Sequence, residues 1–223
     1  MFEREPHAAE AARLEQTAAA LVAVQSASFD RANDATRTSY PPERRMSGEQ
    51  LVAYLDARLY AVVATTRADG RPHAALSAFA RVDMQLWLPT VSGSARSRNL
   101  ARQPALSLVV SDGEGPDHAA VVIDGTADIV PVTGAPAEVD DAYAAKHGSS
   151  PEWASEWIVA TPTRLFSFRD GDAIRLVPGD RELVLRHVGI DRHLADEVEN
   201  RADVVAVGLR VDLLVDVEEA GCF

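Results

Sequence analysis

The sequence predicts a mainly β fold with flanking helices, of the α+β class, and three features indicate it. Apolar and β-branched runs recur between residues 59 and 177. Turn signals separate these runs, among them the Asp-Gly pairs at 69–70, 112–113 and 170–171. Shorter segments with helical spacing precede and interrupt the runs. Together these features predict a hairpin-rich sheet to which helices are added.

The amino-terminal part predicts helices and a connector. Residues 6–26 are alanine-rich with a thin apolar stripe, which indicates a helix packed on the main domain or on a partner subunit. Residues 28–45 hold prolines and mixed charge and are typical of a linker or a poorly ordered arm. Ser47 and Gln50 form a capping-box pattern, which predicts a helix that carries Leu51 and Leu55.

The central stretch runs from residue 59 to residue 110. It predicts a strand at 59–66, a hairpin turn at Asp69-Gly70 with positive φ values, and a returning strand at 72–80. A strand at 84–88 alternates in hydrophobicity and is followed by a short helix at 95–102, for which Ser94 is the natural N-cap. A further strand is predicted at 105–110.

Beyond residue 110 the patterns continue to alternate between strands and helices. A long strand at 118–130 is interrupted at Asp124-Gly125, where a lone glycine indicates a bulge or a close backbone approach. An acidic helix is predicted at 136–147, and a short helical segment at 151–157 would present Trp153 and Trp157 as a core or dimer face. Residues 161–169 and 173–177 predict a closing hairpin, and 203–217 predicts one or two strands.

Composition limits the class of partner. The 223 residues carry a formal net charge of −12, and 47% of them are hydrophobic. That share is typical of one globular domain with appendages, or of at most two small domains. Because nucleic acid and anionic membranes need a basic face, the acidic balance argues against both partners. A local group of arginines can still bind a phosphate in an acidic protein.

Cysteine usage and the amino terminus bear on the compartment. The single cysteine, Cys222, can form no internal disulfide, which favours a reducing cytoplasm. No run approaches the ~18 apolar residues of a membrane span. Acidic residues precede the apolar part of the amino-terminal segment, where a secretory signal would be basic. We therefore expect a soluble, cytoplasmic protein.

The turn from Thr90 to Ser94 combines groups that bind anions. It is rich in hydroxyls and glycine and enters the helix at 95–102, whose first N–H groups lack intrahelical acceptors. Arg96 and Arg98 add positive charge. Two interpretations remain open: a phosphate seat, or a capped helix whose arginines are solvated.

Other catalytic and metal-binding patterns are incomplete in the sequence. It contains no G-x-S-x-G elbow, no G-x-x-x-x-G-K-[ST] loop, no H-E-x-x-H pair and no neighbouring Cys and His. His193 has helical spacing to Asp196 and Glu197 but lacks further ligands, so no metal site is predicted.

Three ordered motifs lie within residues 64–127: A-T-x-x-A-D-G-R-P-H, then L-W-x-x-T-x-x-x-S-A-R-x-R-N-L-x-R-x-P-x-x-S-L-V-V, then V-I-D-G-T-A. They resemble the pyridoxamine 5'-phosphate oxidase-like family of flavin-binding split barrels, especially its mycobacterial-type members that take FMN or the deazaflavin coenzyme F-420. The resemblance implies a six-stranded antiparallel split β-barrel of Greek-key type and a homodimer with a flavin at each end of the shared interface. It divides the chain into a helix and linker arm (1–45), a flavin-binding domain (46–178) and an accessory segment of unknown role (179–223).

The resemblance also implies where a cofactor would bind. Arg96 takes the place of the family's phosphate-gripping lysine, and arginine can hold a phosphate with two parallel hydrogen bonds. The second strand matches the strand that lines the flavin ring, although the pyridoxamine oxidases themselves carry a phosphate-binding arginine there and this chain has only Arg71, before the strand. No catalytic residue is implied. The implied cofactor-binding residues are Thr65, His73, Ala74, Ala75, Ser77, Thr90, Ser94, Arg96 and Arg98.

Two further positions have alternative interpretations. Gly125 matches a family glycine in the strand that bounds the flavin, where it would keep space clear, and it also suits a bulge that only bends the sheet. Arg164 matches a strand that can reach the partner subunit's cofactor, and it also suits an exposed strand surface.

Two functions follow. The first is a flavin-dependent oxidoreductase, in which hydride passes between bound FMN and an unidentified small molecule and the ring supplies the redox chemistry. A deazaflavin, with its acidic tail, would need Arg96, Arg98 and Arg102 on one face of the helix. The alternative is a split-barrel protein that binds flavin or haem for storage or sensing, with His73, His118 and His147 as candidate haem ligands.

Overall fold

Seven antiparallel strands form one sheet in the computed structural model, which describes residues 4–113 and 118–169 together with the pairs 205–206 and 209–210. The strands are β1 (Tyr60–Thr66), β2 (Pro72–Ala78), β3 (Ala80–Val82), β4 (Gln85–Thr90), β5 (Ala105–Asp112), β6 (Ala119–Pro131) and β7 (Glu156–Arg169). Their order across the sheet is β2-β1-β5-β6-β7-β4-β3. A separate hairpin pairs β8 (Val205–Ala206) with β9 (Leu209–Arg210), within the segment predicted to form strands.

The sheet is not closed by hydrogen bonds, yet its two edge strands are consecutive in the chain. β2 pairs with β1 and β3 pairs with β4, and Phe79 alone joins the two edges. The Phe79 side chain is fully buried, and its N–H donates to the carbonyl of Leu59 at 3.3 Å. The strand predicted at 72–80 is therefore present in two halves, one on each side of the opening. The predicted mainly β fold with flanking helices is confirmed.

Helices precede the sheet and lie between its strands along the chain. They are α1 (Arg4–Asp30), α2 (Asp34–Ser39), α3 (Gly48–Ala57), α4 (Ala95–Arg102) and α5 (Ala137–His147). The capping box of α3 is formed as predicted, with Gln50 N–H on Ser47 Oγ and Ser47 N–H on Gln50 Oε1. None of the helices in the described part of the chain is long and apolar enough to cross a membrane.

The linker prediction for residues 28–45 is wrong. The segment contains the end of α1, the whole of α2 and a 3₁₀ turn at Pro42–Arg44. Aromatic contacts fix it to the sheet, because the Phe29 ring meets the Phe166 ring edge-on with centroids 5.1 Å apart, and Tyr40 packs against both.

Helix α1 also supplies hydrogen bonds to β7 where β4 no longer pairs with it. The N–H of Leu165 donates to Ser28 Oγ at 2.9 Å, and Ser167 Oγ donates to Gln25 Oε1 at 2.5 Å. The Gln25 amide in turn donates to the carbonyl of Met46. Because an unpaired backbone group is costly when buried, α1 completes the edge of this strand.

Of the two glycine features that the sequence predicts, the turn at Gly70 differs from expectation and the bulge at Gly125 is present. In the turn before β2, Gly70 has the predicted positive φ (82°) but Asp69 does not, and Arg67 pairs with Arg71 across a three-residue loop. The bulge at Gly125 is confirmed. A Cβ on Gly125 would lie 2.4 Å from the carbonyl oxygen of Thr161, so this glycine makes room for β7.

The helix predicted at 151–157 is absent. Residues 151–155 form a turn, and β7 already begins at Glu156. Trp157 is therefore a core residue of a strand, whereas Trp153 lies on the surface. The predicted hairpin strand at 173–177, the His193 cluster and Cys222 lie outside the described residues.

Candidate functional site

The junction between β4 and α4 is the centre of the candidate site. β4 ends at the buried Thr90, and Gly93 with a φ of 69° turns the chain into the helix. Ser94 caps α4, since its Oγ accepts the N–H of Ser97 at 3.1 Å. Thr90 Oγ1 and Ser94 Oγ lie 2.9 Å apart and share a hydrogen bond. The two predicted hydroxyls thus meet at the start of the helix, where the N–H groups of Ala95 and Arg96 have no intrahelical acceptor.

Arg96 and Arg98 have different environments although both were predicted to bind the cofactor. Arg96 is half-buried, and its Nη1 is fully buried without a hydrogen-bond partner among the described residues. Burial lowers the pKa of Arg96. Arg98 is exposed and donates to the carbonyl of Gly93, while Arg102 donates to the carbonyl of Arg98. Since Arg98 and Arg102 lie one turn apart and Arg96 lies on the other side of the helix, the three do not share a face.

A buried hydrogen bond joins α4 to the first two strands. The Asn99 amide donates to Thr65 Oγ1 at 3.0 Å, and both side chains are buried. Thr65 pairs across the strands with His73, whose Nδ1 is buried and has no partner within the part of the chain that is described. Asn99 was missed in the sequence because an asparagine inside a helix carries no signal for the strand that it reaches.

The predicted residues of β2 divide between its two faces. His73, Ala75 and Ser77 pair with the buried Thr65, Val63 and Ala61 of β1 and point toward the interior. Ala74 lies on the outer face with the exposed Leu76. Because side chains alternate along a strand, Ala74 does not join the other predicted residues.

The turn before β7 forms the other flank of the junction. Ser155 donates its N–H to the carbonyl of Thr90 at 3.1 Å and accepts the N–H of Ser92 at 2.8 Å. Ser97 Oγ donates to Glu156 Oε2 at 2.8 Å, so one carboxylate lies at the first turn of α4. These contacts join positions about 60 residues apart in the sequence, and no local sequence pattern predicts them.

The remaining candidates have structural partners. Arg164 forms an ion pair with Asp124 at 3.6 Å, and its guanidinium lies 5.2 Å from the Phe166 ring centroid. The His147 ring stacks on Tyr143 at 4.2 Å and donates from Nε2 to the carbonyl of Phe79. His118 packs against Phe168. The described residues contain no group of three or more His, Cys, Asp or Glu side chains suited to a metal ion.

Comparisons with known proteins give one family match and several structural likenesses. The family model described as Pyridoxamine 5'-phosphate oxidase matches residues 47–169. The conserved hypothetical protein Rv2991 from Mycobacterium tuberculosis superposes with a TM-score of 0.53 at 20% identity, over 61% of this chain and 96% of that one. An FAD-binding protein from Mesorhizobium loti gives a TM-score of 0.48 at 21% identity, over 58% and 97%. The heme storage protein HutZ from Vibrio cholerae gives 0.45 at 18% identity, over 54% and 94%. No curated protein matches the chain.

The family match covers more than half of the chain and includes the whole sheet together with α3, α4 and α5. The similarity to Rv2991 shows the same fold. The chain therefore belongs to the pyridoxamine 5'-phosphate oxidase family.

Proposed function

We propose that this protein binds a flavin with its phosphate at the junction of β4 and α4, and that it acts as a flavin-dependent oxidoreductase. The observation that carries the proposal is the buried Nη1 of Arg96, which has no hydrogen-bond partner in the described chain. Leaving a buried donor of a charged group unpaired is costly, and an oxygen of a bound phosphate would satisfy this one.

The residues present fit the phosphate of a flavin nucleotide. Arg96 supplies a fixed positive charge and a guanidinium suited to two phosphate oxygens. The N–H groups of Ala95 and Arg96 point from the first turn of α4, whose dipole favours an anion. The hydroxyls of Thr90 and Ser94 lie beside them. Arg96 would therefore bind the negatively charged phosphate, and the turn would orient that phosphate.

The flavin ring would lie on β2, as the family resemblance implies. When bound, a flavin supplies hydride transfer at its ring, and the protein supplies binding and orientation. His73 lies in the strand that would line the ring, and its partnerless Nδ1 can donate or accept one hydrogen bond according to the tautomer. The hydrogen bond between Asn99 and Thr65 would keep the phosphate seat and this strand in a fixed relation.

We further propose that two copies associate through the outer face of β1 and β2. Tyr60 is 53% exposed, Val62 41% and Leu76 65%, and Val62 pairs directly with Leu76 across the strands. An exposed apolar patch on an edge strand is typical of a protein–protein contact. The contact would place β2 of each copy near the shared interface, where the family binds its flavin.

A second candidate function is binding of a planar ligand without catalysis. The lack of an arginine in β2 and the partnerless Nδ1 of His73 favour it, because a histidine nitrogen is a common haem ligand. The two functions predict different spectra.

The first experiment is the visible absorption spectrum of the purified protein, followed by titration with FMN, the deazaflavin coenzyme and haem. A yellow protein or saturable FMN binding would support the oxidoreductase, and donor screening would then identify the substrate. Saturable binding of the deazaflavin alone would keep the reaction and change the cofactor. Binding of haem alone would favour the second candidate, and binding of none would refute both.

A further inference from the structure

One of the three tryptophans lies on the surface beside the phosphate seat. Trp87 is 6% exposed and Trp157 1%, whereas Trp153 is 59% exposed. The two buried rings meet edge-on in the core. Tryptophan is enriched among residues that dominate binding energy, which makes the exposed Trp153 a candidate contact for a ligand.

The backbone that carries Trp153 is fixed to the seat. Ser155, two residues further on, is hydrogen-bonded to Thr90 and Ser92, on either side of Val91. Within the loop, the N–H of Ala154 donates to the carbonyl of Pro151 at 2.8 Å. The indole is therefore presented by an ordered turn, which lowers the entropy that a ligand would lose on binding it.

The seat lies between this loop and the strand proposed for the flavin ring. On one side Asn99 joins α4 to β1, which pairs with β2. On the other side Ser155 joins the seat to the loop at 151–155. Val91, in the turn itself, is also 50% exposed. A ligand that runs from β2 through the seat would continue toward Trp153.

We propose that Trp153 stacks on an aromatic base joined to the seated phosphate, so that the site prefers a flavin dinucleotide to the mononucleotide. This inference rests on the proposed function. Any nucleobase offers a flat face that stacks on an aromatic side chain. The loop favours a base over an acidic tail, because Glu152 lies next to Trp153, Glu156 follows, and residues 151–156 contain no lysine or arginine. Arg98 and Arg102, which an acidic tail would need, lie on the face of α4 away from Arg96.

Calorimetric titration with FAD and with FMN tests the proposal on the full chain. We expect the wild type to bind FAD about tenfold more tightly than FMN, the size of one stacked base. Trp153→Ala should abolish this preference and leave FMN affinity unchanged, while Trp153→Phe should keep part of it. Val132→Ala is the matched control, because Val132 is an exposed apolar residue whose N–H donates to Ser155 and which does not reach the base.

The outcomes separate this inference from the proposed function. Equal affinity for FAD and FMN would overturn the role of Trp153, and so would a preference for FAD that survives in Trp153→Ala. Neither result would contradict the proposed flavin site. Failure to bind either nucleotide would overturn both. Light scattering measures the oligomeric state of Trp153→Ala. If the variant lost the dimer and kept the preference for FAD, Trp153 would be a subunit contact and the proposed stacking would be overturned.

Discussion

The ammonium nitrogen of Lys146 lies 3.5 Å from the centroid of the Phe79 ring. The same nitrogen donates to the carbonyl of Leu55 in the last turn of α3 at 2.9 Å. Phe79 is the residue that joins β2 to β3. The Lys146 side chain therefore connects α5 and α3 to the opening of the sheet. Lys146 is also the only lysine in the sequence. Its cation–π contact and helix-end hydrogen bond suit a compact ammonium better than a guanidinium.

Protonation of Lys146 should make stability depend on pH. Burial lowers the pKa of Lys146 to about 7, a shift that Asp56 opposes and that Arg81 and Arg58 reinforce. An unfolded lysine has a pKa of about 10.4. Between these values the unfolded chain binds a proton that the folded protein does not, so the free energy of unfolding rises with pH across this window.

Urea unfolding of Lys146→Met at two pH values checks this. Between pH 7.5 and 9.5 we expect the wild type to gain about 2 kcal/mol from this group and the variant to lack that gain. The pH stays above the range of His147, whose pKa burial lowers from its usual value. An equal gain in both proteins would show that Lys146 is not the group responsible.

Arg96→Gln should weaken flavin binding without unfolding the protein. The change removes the charge and one arm of the phosphate contact, so we expect a loss of FMN affinity of about 10- to 100-fold. Arg96→Lys should lose less, because it keeps the charge. Arg98→Gln is the control, since Arg98 donates to Gly93 and lies on another face of α4. Fluorescence titration measures all three, and equal losses for Arg96→Gln and Arg98→Gln would indicate a diffuse electrostatic effect instead of a seat.

The sequence predicted the parts of this fold that depend on local chemistry. The N-cap at Ser94, the capping box at Ser47 and the bulge at Gly125 each follow from the conformational preference of one or two residues, and each is present. The helix at 95–102 was predicted to the residue for the same reason. Such features need no knowledge of what packs against them.

The contacts that shape the site depend on tertiary structure and could not be predicted. Asn99 with Thr65, Ser97 with Glu156 and Ser155 with Ser92 join segments that are far apart in sequence. The four-residue spacing of Trp153 and Trp157 is typical of a helix, but pairing with β4 extends β7 to Glu156 and places only Trp157 in the strand. The linker prediction failed because Phe29 and Tyr40 find aromatic partners in β7 that composition does not reveal.

Thr65→Val should destabilise the junction between α4 and β1. The substitution keeps the shape of the side chain and leaves the buried Asn99 amide without its acceptor, which costs about 1–3 kcal/mol. We expect a lower melting temperature and weaker FMN binding, because α4 would lose its attachment to the strands. Thr66→Val, at the exposed neighbouring position, is the control. If Thr66→Val destabilised the protein as much as Thr65→Val, the effect would come from strand propensity and not from the hydrogen bond.

Gly125→Ala should be strongly destabilising although it adds a single methyl group. The new Cβ would lie 2.4 Å from the carbonyl oxygen of Thr161, which belongs to the backbone of β7 and cannot rotate away. We expect a cost of about 2–4 kcal/mol in urea unfolding, in the range of severe overpacking. At Gly134 the nearest atom to an added Cβ is 3.5 Å away, so Gly134→Ala should cost far less. Similar costs at the two sites would mean that β7 yields, and that the bulge does not require glycine.

Glu156→Gln should tighten phosphate binding. The carboxylate of Glu156 accepts a hydrogen bond from Ser97 in the first turn of α4, so its charge competes with a phosphate for the same helix end. The amide oxygen of glutamine can still accept that hydrogen bond, and the charge is lost. We expect FMN affinity to rise a few-fold, with a smaller gain at high salt because screening already weakens the repulsion.

Asp141→Asn makes the same change of charge on the exposed surface of α5 and is the control for Glu156→Gln. Titration with FMN at low and high ionic strength measures both variants. An equal gain in the two would show that net charge, and not the position of the Glu156 carboxylate, limits binding. A loss of affinity in Glu156→Gln would instead mean that the carboxylate is needed to hold Ser97 and the first turn of α4 in place. Phosphate binding would then depend on the hydrogen bond between Ser97 and the charged Glu156.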